Sequence, residues 1–136
     1  MSGGAPTLAF DADEQILLVG MANLRFESEP QIAAAFDEIA RFWKRACAGK
    51  KVYCVVDYTS FALEFALTDT FATYVKQAVD TCAIAVVRHT GDLTARATIR
   101  AVAIKIHQPS NLYATRDEAM SVVRELRASR LGLSTG

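Results

Sequence analysis

The stretch KVYCVVDYTSFALEF, Lys51–Phe65, decides how this chain folds. Val52 to Val56 are nearly all apolar or β-branched, with no polar alternation, which marks a strand covered on both faces or at the centre of a sheet. Asp57 closes the run. A chain leaving such a strand normally turns polar, because loops cross the surface and their backbone groups need partners. This one continues with Tyr58, Phe61, Leu63 and Phe65, interrupted by only Thr59, Ser60, Ala62 and Glu64. Either Phe61, Leu63 and Phe65 fold back to seal the core, or they form an apolar rim beside Asp57 where a partner docks.

On the N-terminal side, TLAF and ILLVGMA flank the turn-forming DADEQ, a β-hairpin signal. SEPQ then opens a helix, with Ser28 as N-cap, Pro30 in the first turn and Gln31 placed to close a capping box. Its apolar face carries Ile32, Ala35, Phe36, Ile39, Phe42, Trp43 and Ala46, and Gly49 ends it. On the C-terminal side a helix starts at Thr68, with Leu67, Phe71, Tyr74, Val75 and Ala78 at steps of three and four. CAIAVVR is a second buried strand, and DLTARATIRAVAIKI is a third helix stopped by Pro109. NLYAT gives a short last strand, and TRDE caps a last helix through Thr115 and Glu118. Ala119, Val122, Val123 and Leu126 form its inward stripe, with Gly132 beyond its end. The order is ββαβαβαβα, an α/β chain. Alternating strands and helices imply parallel pairing, and the hairpin adds an antiparallel strand, so a mixed β-sheet with helical cover is expected. One domain spans residues 7–130, with flexible ends at 1–6 and 131–136.

At 136 residues the chain is long enough to bury a core without disulfide or metal. Hydrophobic residues make up 51% and charged residues 22%, an ordinary globular balance. Fifteen acidic residues offset fifteen basic ones, so the cationic excess of a nucleic-acid binder is missing and no nucleic acid is expected as partner. MSGGAPT has neither a basic start nor a long apolar core, and no run is long enough to span a bilayer; the expected location is cytoplasmic. Cys47, Cys54 and Cys82 are odd in number and widely spaced, which suggests buried reduced thiols rather than a disulfide framework or a metal site. No cofactor is expected.

The hairpin start, the strand ending VVDYTSF and the closing NLYATRDEAMSVVREL together resemble the SpoIIAA-like fold of STAS domains, the anti-sigma factor antagonist group, over roughly residues 7–128. The resemblance implies a module that binds a partner protein and is switched by phosphate at an Asp-Ser-Gly type helix start. At the matching position this chain has Leu67, Thr68, Asp69 and Thr70, without Ser or Gly. Thr68 and Thr70 are the hydroxyls that could accept a phosphate. Thr68 also sits where an N-cap belongs, and the capping role is preferred.

Ligands of α/β sheets collect outside the carboxyl ends of parallel strands. The candidates there are Asp57, Tyr58, Thr59 and Ser60 with Phe61, Leu63 and Phe65, then Arg88, His89, Thr90 and Asp92. Asp57 with His89 is a possible acid–base pair for a small enzyme. Gly91 before a helix start, between Arg88 and Arg96, is a weak anion motif against a simple turn capped by Asp92. His107 is expected at the surface or in a cap. The third helix carries two apolar faces, Leu93, Ala97, Ala101 and Ile104 against Ile99, Val102 and Ile106. A sheet buries only one, which points to a homodimer through this helix or the nearby Phe61–Phe65 loop. The expected function is a non-enzymatic regulatory or protein-binding module docking through the loop after the central strand. The alternative is a protein that binds an apolar small molecule or lipid with the same loop as pocket wall.

Overall fold

The computed structural model describes residues 4–135, with side chains through Arg130. Residues 1–3 and 136, within the ends expected to be flexible, lie outside the described residues. Strands β1 (Thr7–Asp11) and β2 (Ile16–Gly20) form the hairpin. Then come β3 (Arg25–Phe26), α1 (Glu29–Cys47), β4 (Val52–Asp57), β5 (Ala62–Leu63), a 3₁₀ turn over Phe65–Leu67, α2 (Thr68–Cys82) and β6 (Ala83–His89). Finally α3 (Leu93–Lys105), β7 (Leu112–Tyr113) and α4 (Arg116–Thr135) complete the chain. The main sheet has five strands in the order β1-β2-β4-β6-β7, antiparallel at the hairpin and parallel elsewhere, so the mixed α/β architecture holds.

Because side chains alternate along a strand, each face of this sheet takes every second residue. Leu17, Val19, Cys54, Val56 and Val86 face a core closed by α1, α2 and α3. Ile16, Tyr53, Val55 and Val87 face α4 through Ala119 and Val123. A parallel sheet that advances strand by strand through right-handed crossovers puts successive helices on one side, which is where α1 to α3 lie. A register shift between Val52 and Tyr53 of β4, opposite Ala83 and Ala85, leaves Ile84 36% exposed in an otherwise buried strand. On the α4 side, Arg124 grips both carboxylate oxygens of Glu14 at 2.7 and 3.0 Å, and Arg127 donates to the Glu14 carbonyl, tying the helix to the hairpin turn.

Several local expectations are corrected. Cys82 belongs to α2, which runs without a loop into β6. Ala46 is exposed and Cys47 takes the buried position, since α1 turns inward one residue later. Leu126 is 38% exposed, and the helix continues through Gly132, whose cost of about 1 kcal/mol does not by itself end a helix. Ser28 occupies the N-cap of α1 without a side-chain cap bond, while Gln31 accepts from the Glu27 amide at 2.7 Å. Half of the Thr115–Glu118 box forms: the Thr115 hydroxyl accepts from the Glu118 amide at 3.2 Å, while the Glu118 carboxylate accepts from that hydroxyl at 3.1 Å rather than from the Thr115 amide.

Candidate functional site

The loop after β4 is held by backbone pairing rather than left free. The Met21 amide donates to the Asp57 carbonyl at 2.8 Å and Asn23 to Thr59 at 2.9 Å, so the loops leaving β2 and β4 run side by side. They end in a two-stranded parallel sheet, β3 with β5, built on Arg25–Ala62 and Phe26–Leu63. Asn23 and Ser60 take the left-handed conformation that lets each loop turn (φ +63° and +54°). This pairing drives Phe61 against Phe26, edge to face with centroids 5.8 Å apart, and against Phe71 at 5.3 Å and Tyr58 at 5.0 Å. Tyr58 and Phe61 are therefore buried, and in the docking account both are corrected to core residues. Leu63 is half-buried. Phe65 is 92% exposed, so the apolar loop of the sequence divides into a plug and a surface residue.

Phe65 stands beside the exposed side of α3. Of the two apolar faces of that helix, Ile99, Val102 and Ile106 are buried, while Leu93 is 79% and Ile104 74% exposed with Ala97 and Ala101 between them. Leu63, Phe65, Ala66, Ala97 and Ala101 line a groove of about 500 Å³ that is closed at one end by a Lys105–Asp69 ion pair at 2.5 Å. Arg96 and Arg100 follow the opposite flank and make no ion pair among the described residues.

The polar candidates separate across the sheet. The register sets Gly20, Asp57, His89 and Tyr113 in one row, and their side-chain positions face α4. Here Asp57 and His89 join Thr7 and Arg116 around a pocket of about 290 Å³. A Cβ at Gly20 would lie 2.0 Å from the Thr7 hydroxyl, so any larger residue there would force Thr7 to move. The Asp57 Oδ1 accepts from the Thr59 amide at 2.8 Å and its hydroxyl at 2.6 Å, and His89 Nδ1 stands 3.9 Å away, beyond hydrogen-bond length. Burial pushes the His89 imidazole below its usual range; Asp57 opposes this and Arg116 adds to it. The nearby Ser60 is exposed.

The next row, Val19, Val56, Arg88 and Leu112, faces the three-helix core. Arg88 is only 4% exposed; its Nη1 donates to the Ser110 carbonyl at 3.0 Å, and the guanidinium also hydrogen-bonds the Tyr58 hydroxyl. It therefore does not share a site with His89. Neither does it join Arg96 around the start of α3, where Asp92 caps the helix by accepting from the Thr94 amide at 3.0 Å. Thr90 is fully buried and accepts from the Asp92 amide at 3.1 Å, so it braces the same turn. His107 is exposed in a left-handed conformation that ends α3.

Thr68 is corrected from N-cap to first helical residue: Leu67 holds the cap position, and the Thr68 hydroxyl donates backward to the Phe65 carbonyl at 2.7 Å. Thr70 lies half-buried in the same turn. Cys47, Cys54 and Cys82 are free and buried; burial raises all three thiols, Cys54 to about 12 and Cys82 to about 11, so none is a ready nucleophile. Among the described residues no three His, Cys, Asp or Glu side chains form a metal-holding group, and no helix is long and apolar enough to cross a membrane.

Sequence reasoning missed Arg116 and Thr7 as neighbours of His89. The available signal was Gly20, an isolated glycine in a strand. No family model, curated protein or solved structure matches the chain. Fold and site together define its class as a mixed α/β domain with an open apolar groove beside α3.

Proposed function

We propose that this chain is a non-enzymatic, SpoIIAA-like regulatory module of the cytoplasm that docks an amphipathic helix of a partner protein in the groove between Phe65 and α3. The observation that carries this reading is the exposed apolar stripe of Leu93, Ala97, Ala101 and Ile104 with Phe65 beside it. Full burial of a Leu, Ile or Phe side chain is worth about 1.5–3 kcal/mol, so an occupant covering Leu93, Ile104 and Phe65 has a substantial driving force. Ala97 and Ala101 let another backbone approach closely, the geometry of a helix laid in a groove.

Charge selects the occupant. Among the described residues Arg96 and Arg100 line one flank without carboxylate partners, whereas Lys105 is paired with Asp69 on the other. A helix with acidic residues along one edge complements this arrangement. A second copy of the chain is the competing occupant. In an antiparallel two-fold pairing of α3 the same flanks lie side by side, so Arg96 and Arg100 would meet their own copies.

The test is in-cell photo-cross-linking from p-benzoylphenylalanine placed at Ala101, with sequencing of the attached segment. The expected product is an acidic, amphipathic helix of another protein, lost in an Ala97→Glu background. Attachment to the chain's own α3, or no adduct, overturns the reading.

A further inference from the structure

The buried cation Arg88 raises a question that the docking groove does not answer. On the three-helix side of the sheet, Leu17, Val19, Ile39, Val56, Val75 and Val86 line a partly open void of about 60 Å³, and among the described residues Arg88 is the only charged one on its wall. Protein interiors are close-packed, and voids larger than one water are few per domain. A guanidinium in such a place normally carries a carboxylate, because an isolated buried charge is costly. Arg88 has none within ion-pair distance among the described residues. Its partners, the Ser110 carbonyl and the Tyr58 hydroxyl, are neutral. Hydrogen bonding is satisfied, since no fully buried side-chain nitrogen or oxygen among the described residues lacks a partner. What is missing is a countercharge.

The void abuts a surface groove. This groove, of about 210 Å³, runs between α1 and α2, and it shares Phe36, Ile39, Ala78 and Cys82 with the wall of the inner void. The small side chains Ala40 and Ala78 line it. Ala83 bounds the void at the start of β6 and Arg88 lies near the end of that strand, about 17 Å further on at the usual strand rise. Void and groove together mark out an apolar path, with Arg88 on the wall of its inner part.

We infer that this path is a binding site for a single-chain alkyl carboxylate, its head group held by Arg88 and Tyr58 and its tail leading out between α1 and α2. The inner void is well below the ~150 Å³ that admits a benzene ring, which disfavours ring systems and two-chain lipids. It has room for the head group, and the wider outer groove takes the tail. The carboxylate supplies the countercharge and accepts from a guanidinium whose planar donor fork matches it. The alkyl chain replaces empty volume with contact.

Decanoate titrated into the purified full chain, followed by calorimetry and thermal unfolding, tests this, with decanol as the uncharged control. Saturable one-to-one binding of decanoate is expected, at least tenfold tighter than decanol, with a rise in Tm. Arg88→Met should weaken decanoate at least tenfold and leave decanol unchanged. Should that variant not fold, Ala78→Phe, which fills the passage, serves alone: it should abolish binding of both ligands. Phe65→Ser, on the docking groove, should leave decanoate affinity unaltered. No saturable binding by the wild type, or decanoate binding that survives Ala78→Phe, overturns the inference.

Discussion

Arg88 and His89 are consecutive residues at the end of one strand, yet they belong to different environments. Arg88 points under three helices, where it is a charge on an otherwise apolar wall among the described residues; His89 points toward α4, beside Asp57, Arg116 and an open pocket. Their backbones share a sheet and a register row apart. The pleat sends them to opposite faces, and the number of helices on each face then decides how dry each becomes. Proximity in sequence at the end of a strand is therefore a poor guide to a shared site, whereas the same parity on neighbouring strands is a good one.

The largest expected effect comes from placing a carboxylate on each face in turn. Val55→Asp puts an unpaired charge under α4 beside Tyr53 and Val87, and should cost on the order of 4 kcal/mol, enough to deplete soluble folded protein. Val56→Asp lands opposite Arg88 in the register and gains a countercharge, so it should cost roughly 2 kcal/mol less. Denaturant melts of both variants measure the difference; equal costs would show that the Arg88 guanidinium does not reach a carboxylate at position 56.

A smaller contrast lies within the loop after β4. Phe61→Ser empties the centre of the aromatic cluster and should cost about 3–5 kcal/mol, as large-to-small aromatic changes do. Phe65→Ser, at a 92% exposed position, should stay within about 0.5 kcal/mol. Similar melting temperatures for the two variants would contradict the division of this loop into plug and surface.

Next comes pH on the α4 side. The folded His89 binds its proton less readily than the ordinary imidazole at 6.5, chiefly because it is buried, with Asp57 opposing and Arg116 reinforcing. As pH falls through 6.5 the unfolded chain takes up the proton first, so stability present above that pH is progressively lost below it. Thermal melts between about pH 7.5 and 5.5 should show this decline in the wild type and a flatter profile in His89→Gln. An identical slope in both proteins would assign the decline to other groups.

The smallest effect concerns Glu14. Its carboxylate is held below the usual range mainly by the hydrogen bond from Arg124, but the pair faces solvent. Glu14→Gln should lower Tm slightly at low salt, and the difference should vanish at high salt, since exposed ion pairs are screened. A large, salt-independent loss would mean that the turn anchors α4 far more firmly than its exposure suggests.

Much of this was determined by the sequence alone. The order of the main elements follows from period-two and period-3.6 patterns, the buried character of β4 and β6 from unbroken apolar runs, and the ends of α3 from Asp92 and the turn before Pro109. These are local properties, set by a residue and its near neighbours. The tertiary structure decided the rest. The two-residue strands β3 and β5 exist only because the loops after β2 and β4 lie together, and that pairing buries Tyr58 and Phe61 while leaving Phe65 outside. Leu93 and Ile99 are equally apolar in sequence, and only the position of the sheet makes one surface and the other core. Arg88 and His89 likewise read as one cluster until the pleat and the unequal helical cover part them, because burial depends on what packs against a face from distant segments of the chain.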